Sequence, residues 1–145
     1  MARQTKALRS EILDRLTTIV DSQQFIGGAY VDTFEKKLAQ YLNVPYAIVC
    51  NSGTDALWMA LFALDVAKDS IVLTTPFSFI ASSSEIVAHN LHPVFIDIQA
   101  DTFNIDPELV EAWLTKNAEM QNGKAVHKET GFPVAGIIPV DIFEI

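Results

Sequence analysis

Apolar side chains recur at helical spacing from Lys6 to Val20, at Leu8, Ile12, Leu13, Leu16, Ile19 and Val20, with Arg9, Glu11, Asp14 and Arg15 on the other face. After Gly27-Gly28 the period resumes through Val31, Phe34, Leu38 and Leu42, with Glu35, Lys36 and Lys37 turned outward. Pro45 ends this pattern, because it supplies no N–H and restrains Val44 toward extended geometry. The unbroken apolar run Tyr46–Cys50 then predicts a short buried strand. Asn51-Ser52-Gly53-Thr54 reads as a turn, and Asp55 to Val66, with Leu57, Trp58, Leu61 and Leu64 on one face, as a helix. Ile71–Thr75 is the next predicted strand, followed past Pro76 by a helix from about Ile80 to His89. Pro93–Ile98 and Val134–Val140 read as two further strands.

Between those last two strands, Asp106-Pro107-Glu108 opens a helix carrying Leu109, Val110, Trp113 and Leu114. Asp106 is suited to cap it, Pro107 sits where its missing N–H costs nothing, and Glu108 favours the positive end. Residues 116–130 are polar and without period, which predicts an exposed loop. No repeat or low-complexity tract interrupts the order. Strands alternating with helices imply right-handed crossovers and a mostly parallel, two-sided sheet, the α/β class.

Composition narrows the functional classes. Half of the 145 residues are apolar, enough for a hydrophobic core and against disorder. A formal charge of −8 lacks the basic footprint that attracts nucleic acid or anionic lipid. Neither a signal-peptide core nor a membrane-length apolar stretch occurs, so the expected compartment is the cytoplasm, with no membrane partner. Cys50 stands alone in an apolar run and reads as a buried small hydrophobe. His89, His92 and His127 are scattered without metal-ligand spacing and read as surface or helix-end residues.

Two segments carry candidate chemistry. At Val49–Leu57 a predicted strand delivers the chain through a small-residue turn straight into a helix. The first N–H groups of a helix lack internal partners and carry partial positive charge, so a phosphate ester fits there. Gly53 allows close backbone approach, and the Ser52 and Thr54 hydroxyls are further donors. Ser52 or Thr54 capping the helix accounts for the same residues without a ligand. The pattern is neither a P-loop nor a three-glycine dinucleotide fingerprint. The second segment, Thr74–Ala81, follows the carboxyl end of a predicted strand, where open α/β sheets bind ligands. Phe77 and Phe79 there either offer a flat face to a planar ring or pack against the next helix.

Taken in order, Asn51–Leu57, Thr75–Ala81, Pro93–Ile98 and Asp101–Pro107 resemble the DegT/DnrJ/EryC1/StrS family of pyridoxal-phosphate (PLP) enzymes. Phe25-Ile26-Gly27-Gly28 with Val31 and Phe34-Glu35 matches the family's entry segment, and Gly136–Asp141 its next core strand. The resemblance implies the N-terminal portion of the large domain of a fold-type-I PLP-dependent transferase. Residues 1–30 would form an N-terminal helix and entry segment, 31–145 the α/β core, and 116–131 an exposed loop within it. It further implies an aminotransferase acting on nucleotide-linked keto-sugars with an amino-acid donor, working as a homodimer. Gly53 and Thr54 would hold the cofactor phosphate, Asp55 would adjoin that cup, and Phe79 would stack on the pyridine ring. Asp97 does not match the carboxylate that pairs with the ring nitrogen, which belongs to a later strand; it is expected near solvent.

The family's ring-nitrogen Asp and Schiff-base Lys lie downstream of the segment matched by Gly136–Asp141. None of Lys6, Lys36, Lys37, Lys68, Lys116, Lys124 and Lys128 matches the catalytic position, and Glu144 replaces a usual glycine. The expectation is an incomplete, inactive aminotransferase. Its rivals are a non-catalytic PLP- or phosphate-binding or dimerising fragment, a PLP dehydratase in the full-length protein, and, more weakly, a Rossmann-like oxidoreductase.

Overall fold

The computed structural model describes residues 2–142, so Glu144 lies outside the described residues. The chain divides into two compact units, Met1–Val49 and Cys50–Ile145. In this division the second helix groups with the first.

The first unit holds α1 (Ala2–Ser22) and α2 (Ala29–Leu42). Leu8, Ile12, Leu13 and Leu16 fall on one stripe of α1 and remain about half exposed. α2 ends before Pro45 acts: Asn43 adopts the left-handed conformation, and the N–H groups of Asn43 and Val44 bond back to the carbonyls of Gln40 and Ala39. The predicted strand at Tyr46–Cys50 is not one. The segment is extended but unpaired, with Tyr46 83% and Ile48 72% exposed. A strand exists only where a neighbour satisfies its backbone, and no described strand runs beside this segment. In its place, the Val49 N–H donates to Glu35 Oε1 at 2.9 Å. Cys50 is exposed for the same reason, not buried.

The second unit is α/β. It contains α3 (Gly53–Ala63), β1 (Ile71–Thr74), α4 (Ala81–Ala88), β2 (His92–Phe95), α5 (Pro107–Asn117), β3 (Ala118–Gln121), β4 (Lys124–His127) and β5 (Val134–Ile137). Three strands form a parallel sheet in the order β2-β1-β5. The central strand is buried along its whole length, and its alternation splits the core in two. Val72 packs with Leu61, Ile86 and Leu91 on the face covered by α3 and α4. Ile71 and Leu73 pack with Ile96, Val110, Trp113 and Leu114 on the α5 face. Burial of each such aliphatic side chain stabilises by roughly 1.5–3 kcal/mol, which is why helices cover both faces.

The stretch read as an aperiodic loop is largely an antiparallel hairpin, β3 with β4. Asn122 (φ 51°) and Gly123 (φ 80°) form its turn. Both central residues at positive φ is the geometry that matches strand twist in a two-residue hairpin, and Asn-Gly is the pair best suited to it. That dipeptide was the available signal. Asp106 caps α5 as anticipated, accepting from the N–H groups of Glu108 (2.8 Å) and Leu109 (3.4 Å), with Pro107 at the first position.

Candidate functional site

α3 opens on Ser52, whose backbone is extended and whose Oγ accepts from the Asp55 N–H at 3.1 Å. The first intrahelical bond runs from the Ala56 N–H to the Ser52 carbonyl at 3.1 Å. The side-chain cap thus serves Asp55 alone, and the Gly53 and Thr54 N–H groups precede the helical ladder. Gly53 is exposed, and a Cβ built on it would meet nothing within 4 Å. Its φ is not in the left-handed region, so the turn itself does not demand glycine. The open space beside two unpaired amides is what a phosphate group requires. Ser52 caps the helix, and the Gly53 and Thr54 amides stay open. Asp55 lies half-buried in the first turn, where its charge complements the helix dipole.

The second candidate segment follows β1. Thr75 is buried and its Oγ1 accepts from the Phe77 N–H at 3.2 Å, turning the chain outward. Phe77 is 44% exposed, its ring lying 5.8 Å from that of Phe103. Phe79 is 74% exposed and joins no ring contact among the described residues. Phe79 is therefore not buried against the next helix among the described residues. An open, mostly apolar depression of about 630 Å³ lies here, lined by Phe77, Phe79 and Ser82 from one side and Val140 and Ile142 from the other. It sits at the carboxyl ends of β1 and β5. Thr74 Oγ1, fully buried, donates to the Ile138 carbonyl at 3.1 Å and pins those two strand ends together.

Gly53, Thr54 and Asp55 do not line that depression. The final turns of α3 and α4 share a separate depression, with Phe62 and Asp65 facing Ala88 and His89. The two helices pack side by side there, His89 Nε2 lying 3.0 Å from the Trp58 carbonyl.

Lysine placement is uneven. Lys68 joins the depression at the final turns of α3 and α4, and Lys124 lines another beside Ser70 and Val134, where β1 and β5 begin. Lys128 Nζ donates to the Thr115 and Lys116 carbonyls, closing the C-terminus of α5. These lysines stand at the amino end of the sheet, away from Phe79. Lys36 and Lys37 are exposed on α2 in the other unit. Asp97 is exposed, its Oδ1 accepting from the Ile98 N–H at 2.8 Å. His127 bonds Thr130 Oγ1, and His92 stacks on Phe132. Among the described residues, no three His, Cys, Asp or Glu side chains gather into a metal site, and no helix is long and apolar enough to cross a membrane.

The family model for the DegT/DnrJ/EryC1/StrS aminotransferase family matches residues 6–143. The UDP-4-amino-4,6-dideoxy-N-acetyl-beta-L-altrosamine transaminase of Campylobacter jejuni is 42% identical over 106 residues, covering 73% of this chain and 28% of that protein. A DegT DnrJ EryC1 StrS aminotransferase from Brucella abortus superposes with a TM-score of 0.83 at 30% identity, over 97% of this chain and 35% of that one. The structure of ntda from Bacillus subtilis with bound cofactor PMP gives a TM-score of 0.66 at 36% identity, over 71% of this chain and 24% of that one. The chain spans about a quarter to a third of the length of these proteins.

Proposed function

Because this chain belongs to the DegT/DnrJ/EryC1/StrS aminotransferase family, we propose that it supplies the phosphate-and-ring-binding part of a PLP site in an enzyme aminating nucleotide-linked keto-sugars. The substrate class follows the Campylobacter relative, whose name specifies a UDP-linked amino-sugar. The cofactor follows the Bacillus subtilis structure that carries PMP. An amino acid is the donor on this reading, a homodimer the working assembly, and the cytoplasm the compartment.

The observation that carries the proposal is the opening of α3, where two amides remain free beside a glycine with open space at its Cβ position. That arrangement fits a phosphate ester, so Gly53 and Thr54 would hold it through backbone N–H groups, and the Thr54 hydroxyl would add a donor. Asp55 would stiffen the helix start; a carboxylate is not itself a phosphate ligand. Phe79 would present its free face to the pyridine ring. When bound, PLP supplies an electron sink for a carbanion formed beside its imine carbon. This chain's residues bind and orient; the lysines of its α/β unit stand at the wrong end of the sheet to move a proton at that centre. That placement favours, as a second reading, a part that binds without catalysing.

Titrating the chain with pyridoxamine 5'-phosphate and with pyridoxamine, followed by calorimetry, tests this. Saturable binding only of the phosphorylated compound is expected. Equal binding of both, or of neither, would overturn it.

A further inference from the structure

The ring-binding role just proposed leaves a question of support, since the Phe79 side chain is 74% exposed and makes no ring contact among the described residues. Most of the fixing is in the backbone on either side. The Phe77 N–H donates to Thr75 Oγ1, the Ser78 N–H to the Pro76 carbonyl at 3.0 Å, and the Ser82 N–H to the Phe79 carbonyl at 3.1 Å. One side-chain link spans the whole turn: the hydroxyls of Ser78 and Ser82 lie 2.6 Å apart and share a hydrogen bond. Ser82 is 8% exposed, in the first turn of α4, whereas Ser78 is half-buried in the loop. The bond therefore ties a loop residue to a rigid helix, with Phe79 directly after the tethered residue.

We propose that Ser82, through Ser78, is a positioning residue that sets Phe79 for stacking on a planar heteroaromatic ligand; this rests on the reading of Phe79 as a ring plate. A plate held only by a flexible loop must be ordered when the ligand binds, and that ordering weakens affinity. A clasp closed beforehand removes the cost. Neither hydroxyl is assigned a contact with the ligand, so the effect falls on the ring and not on the phosphate.

The test is a double-mutant cycle with Ser78→Ala and Ser82→Ala, read by affinity for pyridoxamine 5'-phosphate and, separately, for inorganic phosphate. Loss of one neutral hydrogen bond predicts a fall of about three- to tenfold for the aromatic ligand. Inorganic phosphate should bind as before. The double variant should be no weaker than either single one, because each removes the same link. Ser78→Ala, on the more exposed partner, keeps the test open if Ser82→Ala disturbs folding. Unchanged affinity for pyridoxamine 5'-phosphate in Ser78→Ala, or additive losses in the cycle, would overturn the clasp while leaving the phosphate site standing. Absence of binding by the unsubstituted chain would overturn both.

Discussion

Ser52 Oγ accepts from the Asp55 N–H at 3.1 Å, and by serving that amide alone it leaves those of Gly53 and Thr54 uncapped. The cap and the proposed phosphate site share one helix end and use different amides, which makes them separable by substitution.

Ser52→Ala removes the cap and should lower stability by about 1 kcal/mol, read from the midpoint of urea unfolding. Ser52→Asp keeps an acceptor at the cap and should fold as well as the original. Its charge would repel a phosphate, so affinity for pyridoxamine 5'-phosphate should fall by about tenfold or more, the cost of setting two like charges side by side. Weak binding by Ser52→Ala with full binding by Ser52→Asp would show that stability, not charge, governs the site.

Gly53→Ala gives the opposite separation. The new Cβ meets no protein atom and the backbone is already helical, so stability should hold or rise by up to about 1 kcal/mol. Pyridoxamine 5'-phosphate affinity should drop about tenfold, because the methyl group occupies the approach to the two amides. Calorimetry and thermal unfolding on one preparation check both halves.

Thr74→Val tests the link between the β1 and β5 ends. It removes the buried donor to the Ile138 carbonyl and should cost about 1–3 kcal/mol in chemical unfolding. A neutral result would mean that the neighbouring backbone bond, Ile138 N–H to the Leu73 carbonyl at 2.8 Å, suffices.

Gly123→Val should destabilise the hairpin by about 1–2 kcal/mol, since a β-branched residue is forced to φ 80°. The hairpin lies by the amino end of the sheet, so phosphate affinity should not change; a parallel loss of binding would contradict that placement.

Cys50 should react stoichiometrically with a thiol reagent in the folded chain, because it is exposed beside the unpaired segment. Labelling that appears only in denaturant would restore the buried-strand reading.

Features resting on near neighbours in the chain were legible from residue order. Asp106 bonds amides two and three residues on, so its cap was legible from spacing; Ser52 bonds one three residues on, where residue order left Ser52 and Thr54 both open as the cap. The central strand Ile71–Thr74 and the helices around it follow from hydrophobic period. The hairpin at Asn122-Gly123 was also written locally, but its strands, Ala118–Gln121 and Lys124–His127, lack the alternation that announces a half-buried sheet.

What residue order by itself determined was the five described helices, the three strands of the parallel sheet, the α/β class, the cap of α5 and the family. Tertiary structure alone decided which apolar residues found partners. Tyr46, Ile48 and Cys50 read as buried yet lie open, because no described strand runs beside them; Phe79, which residue order left between packing and offering a flat face, is 74% exposed. The difference has one cause: caps and helical period are set by atoms a few residues apart, whereas burial is set by whatever distant segment arrives to cover a surface.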